Sequence, residues 1–536
     1  MSKILVRGVL VFAAAWFWLI PPLAAAAGNQ LVDVAWLKEN LQRDDLLLID
    51  ASPGGRHVAG HIPGAVNVDI FAFGGREVTT EVMERRIQSW GVSSGKQIVL
   101  YDQGGTHLAT SLFFDLYYHG FPREGLKVLD GGMAKWQASG GAVTKEATPK
   151  PKPGSFRIVT RQEEVRARLP EFLAATGDPA RSKVVEALDS RQHFGADKFF
   201  DRAGHVPNAI MAPVDDFYNA DKTFKSPEEI ARMMDYLGVT RDRAVYSHCG
   251  GGIAASVPFF AMKFVLDYPD VKLYKESQLE WLRDDRGLPF WTYDAPQLLR
   301  EKAWVAGWNA QMLRMFGVSR LNVVDIRPAA AFGEGHVPFA INIPAETFRR
   351  QMANPAALAE TLGAAGVVMA DETVIVSNGL TPDSALAFLM FEQLGQKKVS
   401  VLADSVEDWA FAGLEITRES KPLPPRKYPP ALRAGLVTRD PSLTQGLYPK
   451  VYVASGKSLP TKLPEGRVIH VPYSDLVNAN GSPKAARDIW DALVKAGVPR
   501  YAEIVTFSDD PGEAAANYFV LKLMGYPDVK VFVIPA

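Results

Sequence analysis

The sequence predicts an α/β chain made of four tandem copies of one unit, each a mostly parallel sheet with helices on both faces. Three observations predict it. An apolar run with a polar end, a loop, an apolar helix and a second apolar run recur as QIVLYDQGGTHLATSLFFDLYYHG, AVYSHCGGGIAASVPFFAMKFVLDYPDVKLY, TVIVSNGLTPDSALAFLMFEQLGQKKVSVL and EIVTFSDDPGEAAANYFVLKLMGYPDVKVFV. A Gly-His-apolar-Pro turn lies upstream in the first three, at Gly60 to Pro63, Gly204 to Pro207 and Gly335 to Pro338. The 536 residues are 47% hydrophobic and 22% charged, enough apolar material for several domain-sized cores.

Taken in chain order, residues 1–27 read as an export signal. Lys3 and Arg7 precede the apolar run Gly8 to Ile20, and Ala24 to Ala27 supply small residues for cleavage. The mature chain is then expected to be periplasmic or secreted, with no later run long enough to cross a membrane. The first unit, 29–145, has a strand ending at Asp50, a turn at His61, an apolar run ending at Asp102 and a closing Trp136. The second, 155–295, repeats this with Asp189, His205, Cys249 and Trp281. The third, 300–420, has Asp325, His336, Asn378 and Trp409. The fourth, 430–536, keeps Asp509 but only fragments of the turn, such as Val468 to Pro472, and is expected to be degenerate. Proline-rich stretches at Thr148 to Gly154 and Lys421 to Pro430 separate copies.

A formal net charge of -1 excludes a strongly basic nucleic-acid surface. The one cysteine in the chain, Cys249, cannot form a disulfide within it, so the thiol is either a small buried hydrophobe or a reagent. Its neighbours favour the reagent. Cys249 lies between a strand and a helix, where unpaired N–H groups attract an anion. Gly250, Gly251 and Gly252, followed by Ile253 and Ala254, let the backbone curl so that amides converge on the sulfur and stabilise a thiolate or persulfide. Gly251 is expected to need a positive φ. Pro258 is expected to fall just beyond the first helical turn and disturb it.

Strand-Asp, Gly-His-apolar-Pro turn, strand-Cys-loop-helix and a terminal Trp together resemble the rhodanese family of sulfurtransferases. Asp130 to Trp136, DGGMAKW, is similar to that family's closing signature. The resemblance covers essentially the whole mature chain. It implies tandem rhodanese-like domains, of the thiosulfate or 3-mercaptopyruvate sulfurtransferase kind, in which one copy carries the cysteine. It also implies a small anionic sulfur donor, a thiophilic acceptor such as cyanide, sulfite or a thiol, and a persulfide on Cys249, with no cofactor and no metal. Arg191 and Arg202 are similar in position to substrate-binding arginines of two-domain mercaptopyruvate sulfurtransferases. His248, His61 and Asp50 are possible supporting groups around the thiol. The arginine that phosphatases place six residues after such a cysteine is Ala255 here, which removes that reading. A second reading is a non-catalytic carrier that takes sulfur from one protein and gives it to another, with the cysteine-free copies as docking surfaces.

Overall fold

The computed structural model describes residues 30–73, 77–420 and 422–534. The segment read as an export signal, 1–27, lies outside the described residues. No helix among them is long and apolar enough to cross a membrane.

Four five-stranded sheets follow one another along the chain, all with the same order: first, fifth, fourth, second, third. Every strand pair is parallel, as in the central pairing of Ser182–Glu186 with Ala244–His248 in the second unit. The central strands read VVE, VIV or IVTF because both faces are covered and both must be apolar. The fourth unit has the complete sheet despite its eroded turn. In the first three units, Trp136, Trp281 and Trp409 are buried, and each indole N–H donates to a carbonyl a short way downstream, Ala142, Pro289 and Glu415.

The units pair. One large core joins the first and second, with Phe113 edge-on to Phe260 at 5.0 Å. Another joins the third and fourth, with Phe388 edge-on to Phe519 at 4.8 Å. The second core also takes in Phe194 and Met211 from the second unit, so the two pairs share apolar contact.

Strand register corrects the sequence alignment of the copies. Asp50 pairs with Tyr101, Glu186 with His248, Asp325 with Val376 and Ala454 with Phe507. The residues equivalent to Cys249 are therefore Asp102, Ser377 and Ser508; Asn378 and Asp509 stand one step further on. The same register makes Glu186, not Asp189, the counterpart of Asp50 and Asp325. The second-unit strand ends at Glu186, and Asp189 instead caps the short helix Ser190–His193 by accepting from Gln192 N–H. Apolar Ala187 and Leu188 extend the run past the last paired residue, which is why sequence alone overshoots.

Candidate active site

Cys249 follows the strand Ala244–His248, which is the central strand of its sheet. The carboxyl end of a central parallel strand opens into the crevice where α/β folds bind ligands. Side chains alternate along the strand, so His248 points the other way, edge-on to Phe172 at 5.2 Å. Its ring is fully buried with neither nitrogen hydrogen-bonded, and burial holds it below its ordinary range. That neutral ring packs on Phe172 and is not a partner of the thiol.

The loop is held by its backbone. Cys249 N–H donates to Ser277 Oγ, and the carbonyls of Cys249 and Gly250 accept from Gln278 and Leu279. Gly252 N–H donates to Cys249 Sγ at 3.1 Å. Gly252 has φ +80°, and a Cβ there would lie 1.7 Å from the Lys275 carbonyl oxygen, so the position admits only glycine. Gly251 has an ordinary φ and open space around it, contrary to the expectation of positive φ there. A Cβ at Gly250 would meet the Phe199 ring at 2.4 Å. The helix after the loop is Ser256–Phe260, continued by a π turn over Ala261–Val265. Pro258 falls within the first turn, where a missing N–H costs nothing.

Cys249, Gly250, Gly251, Ile253 and Ala254 border a cavity of about 510 Å³. The opposite wall comes from the first unit: Phe71, Gly105, Thr106 and His107. The two units are locked at this seam by Thr110 Oγ1 and Ser256 Oγ, 2.8 Å apart, and by Tyr218 Oη donating to the Thr106 carbonyl at 2.7 Å. Burial pushes His107 below its ordinary range, so at neutral pH it offers a neutral imidazole. Sequence reasoning missed His107, Thr106 and Phe199. The signal for the first two was present: 103–107 is the first unit's counterpart of the cysteine loop, and pairing of copies sets the two loops face to face.

Neither arginine lines the cavity. Arg191 is exposed and makes a two-pronged contact with Asp197, because it occupies the outer side of Ser190–His193 while Asp189 and Gln192 face the cavity. Arg202 donates to the Leu288 carbonyl and stacks over Phe290. His61 and Asp50 also lie outside the lining. His61 Nδ1–H donates to the His57 carbonyl and its Nε2 meets Thr148 Oγ1, which braces the turn. Asp50 is buried and accepts from Ser52 N–H and His57. Among the described residues no lysine or arginine borders the cavity, whereas Asp189 and Asp215 do.

A five-stranded parallel sheet in the order first, fifth, fourth, second, third, with a loop behind its central strand, repeats along this chain. The family description "Rhodanese-like domain" matches residues 33–139 and 307–412, which fall in the first and third units. The chain carries tandem rhodanese-like domains. The sulfur carrier protein TtuD of Thermus thermophilus is 29% identical over 279 residues, spanning 47% of this chain and 93% of that protein. The 3-mercaptopyruvate sulfurtransferase of Escherichia coli is 29% identical over 273 residues, 47% of this chain and 94% of that one. Among solved structures, SseA of Escherichia coli aligns at 25% identity with a TM-score of 0.42, over 46% of this chain and 98% of its own. Each of these relatives aligns with about half of this chain, whose described residues hold four sheets of one strand order.

Proposed function

We propose that this rhodanese chain is a sulfurtransferase whose sulfur passes through Cys249. The single observation that carries the reading is Cys249 Sγ at the wall of a 510 Å³ cavity, with Gly252 N–H donating to it. In the first half-reaction the Cys249 thiolate attacks the transferable sulfur of a donor, the outer sulfur of thiosulfate or a persulfide or the thiol sulfur that 3-mercaptopyruvate carries on carbon. The bond from that sulfur to the donor breaks, the electron pair leaves with the donor remnant, and an S–S bond forms on Cys249. In the second, an acceptor such as cyanide, sulfite or a thiol attacks the terminal sulfur, and Cys249 leaves as thiolate. Gly252 N–H stabilises the sulfur anion at both ends of the cycle. Curated relatives named as thiosulfate and 3-mercaptopyruvate sulfurtransferases support the class. The leader-like N-terminus supports an exported, periplasmic or secreted location as part of the same proposal.

The cavity's charge favours a second reading. Two carboxylates and no cation among its described lining residues disfavour a doubly charged anion such as thiosulfate. A sulfur delivered as a persulfide, and handed to a protein thiol, fits that lining better, and a relative is named a sulfur carrier protein. Intact-protein mass after incubation with thiosulfate, 3-mercaptopyruvate or glutathione persulfide tests both readings. The parent chain should gain one sulfur atom and Cys249→Ser none. Turnover with cyanide then separates enzyme from carrier. A parent chain that gains no sulfur from any donor defeats both.

A further inference from the structure

A cluster remote from the thiol is built as a metal site. We propose that His193, His205 and Asp294 bind one divalent transition ion, Zn²⁺ in chemical class, where the C-terminal end of the second unit meets the fourth unit.

His193 Nε2 lies 2.6 Å from Asp294 Oδ1 and His205 Nε2 lies 3.5 Å from the same oxygen. The three ligand atoms are all within 4.8 Å of one another. The imidazoles are stacked in parallel at 3.7 Å, and both Nε2 atoms face Asp294 Oδ1. Each ring is fixed from behind through Nδ1. His205 Nδ1–H donates to the His193 carbonyl, and His193 Nδ1 is bonded to Glu186, whose other oxygen accepts from Gln278. A carbonyl only accepts, so the proton of neutral His205 sits on Nδ1 and its Nε2 presents a lone pair. Buried at 0% exposure, that lone pair has no hydrogen-bond partner. Metal-ligating histidines are oriented in this way, with the rear nitrogen held by a carboxylate or carbonyl. Two imidazoles and a carboxylate suit a zinc-like ion. Glu186 and Asp294 bring two negative charges, which a divalent cation neutralises.

Comparison among the units isolates the distinguishing residue. The first unit has the same stacked pair, His57 and His61, with Asp50 behind, but Thr148 Oγ1 stands before His61 Nε2. The third has Phe332 in place of one imidazole. Of these three units, among the described residues, only the second has a carboxylate at the front. A cavity of about 200 Å³ borders Asp294, with Asn208, Met211 and Arg500 also on its wall. Arg500 and Lys183 are the cations on its wall; Arg500 is engaged by the Met211 carbonyl and by Asp216, and Lys183 donates to the Pro179 carbonyl. Asp294 also packs against the fourth unit: a Cβ on Gly525 would fall 1.8 Å from its Oδ2, and Ala295 N–H donates to the Leu523 carbonyl. A bound ion would therefore fix Asp294, the ligand that packs against the fourth unit.

The test uses the full chain with Cys249→Ser, which removes the thiol as a rival ligand, stripped with chelator and titrated with Co²⁺ and then Zn²⁺. One ion per chain is expected, with visible Co²⁺ absorption that Zn²⁺ displaces and a rise in the thermal midpoint on adding Zn²⁺. Asp294→Asn keeps the size and an acceptor for His193, and should weaken binding at least tenfold. His205→Gln should do the same, which guards against a folding defect in either variant. No uptake by the parent, or equal affinity in both variants, overturns the site and leaves the cluster as a proton-bridged pair.

Discussion

Asp102 and Cys249 stand on the same step of their two sheets, one residue past Tyr101 and one past His248. The Asp102 carboxylate accepts from the N–H groups of Gly104, Leu108 and Ala109, so the first unit's loop carries its own covalently attached anion. The matching position in the second unit holds a sulfur that accepts from Gly252. One loop architecture thus turns backbone N–H groups toward an acceptor twice, once a carboxylate and once the sulfur of Cys249. In the third and fourth units the position is serine, whose hydroxyl instead donates to the Gly379 carbonyl or to Glu513.

Glycine substitutions should separate the members of the loop. Gly252→Ala sets a methyl group against the Lys275 carbonyl at a positive φ and should cost on the order of 3 kcal/mol, with at least a tenfold loss of sulfur uptake. Gly251→Ala, in open space at an ordinary φ, should retain fold and uptake within about twofold. Thermal unfolding and the intact-mass assay read both; similar losses at the two positions would contradict the loop geometry.

Donor affinity should respond to the cavity carboxylates and not to the arginines. Removing one like charge with Asp215→Asn should lower KM for thiosulfate about two- to fivefold, worth roughly 0.5 to 1 kcal/mol. Arg191→Ala, which only frees Asp197 on the surface, should leave KM within about twofold. Steady-state kinetics showing the reverse ranking would return Arg191 to the site.

A pH effect follows from Asp130, which accepts from Phe224 N–H across the seam between the first two units. Burial raises its carboxyl to about 6, outweighing the opposing pull of that hydrogen bond and of Lys135. A carboxyl raised above its unfolded value stabilises the fold when protonated. Its contribution is complete below about pH 4 and is lost as pH rises through about 6. Asp130→Asn keeps an acceptor for Phe224 and removes the buried charge. It should be more stable than the parent at about pH 8, by up to about 2 kcal/mol, and nearly equal at about pH 4. Thermal midpoints at the two pH values decide; an equal difference at both would rule Asp130 out.

The fourth unit should influence the thiol site through Tyr501. Its hydroxyl is bonded to Asp216, next to the cavity-lining Asp215 on the turn Val214–Phe217. Tyr501→Phe should change KM for the donor two- to tenfold while kcat and the thermal midpoint move little, since one charge-assisted bond fixes the turn and not the chemistry. An unchanged KM would confine the fourth unit to a structural role.

The sequence by itself determined the repeat, the parallel α/β units and the strand-to-loop position of Cys249, because these follow from local patterns. Runs such as QIVLY and AVYSH are apolar on both faces, and a cysteine followed by three glycines marks a strand-to-loop turn wherever it occurs. Apolarity at a strand end is a weaker signal. Ala187 and Leu188 read like strand while the ladder stops at Glu186, so Asp189 was misplaced and the equivalents of Cys249 slipped by one in the third and fourth units. Only the tertiary structure decided which glycine is constrained, since the Lys275 carbonyl that excludes a side chain at Gly252 arrives from the next strand-to-helix turn. Tertiary structure also turned Arg191 outward, set His107 opposite Cys249, and brought Asp294 to His193 from 101 residues away. The physical reason is common to all of these: local sequence encodes the conformations available to a segment, while side-chain partners are chosen by packing between segments far apart in the chain.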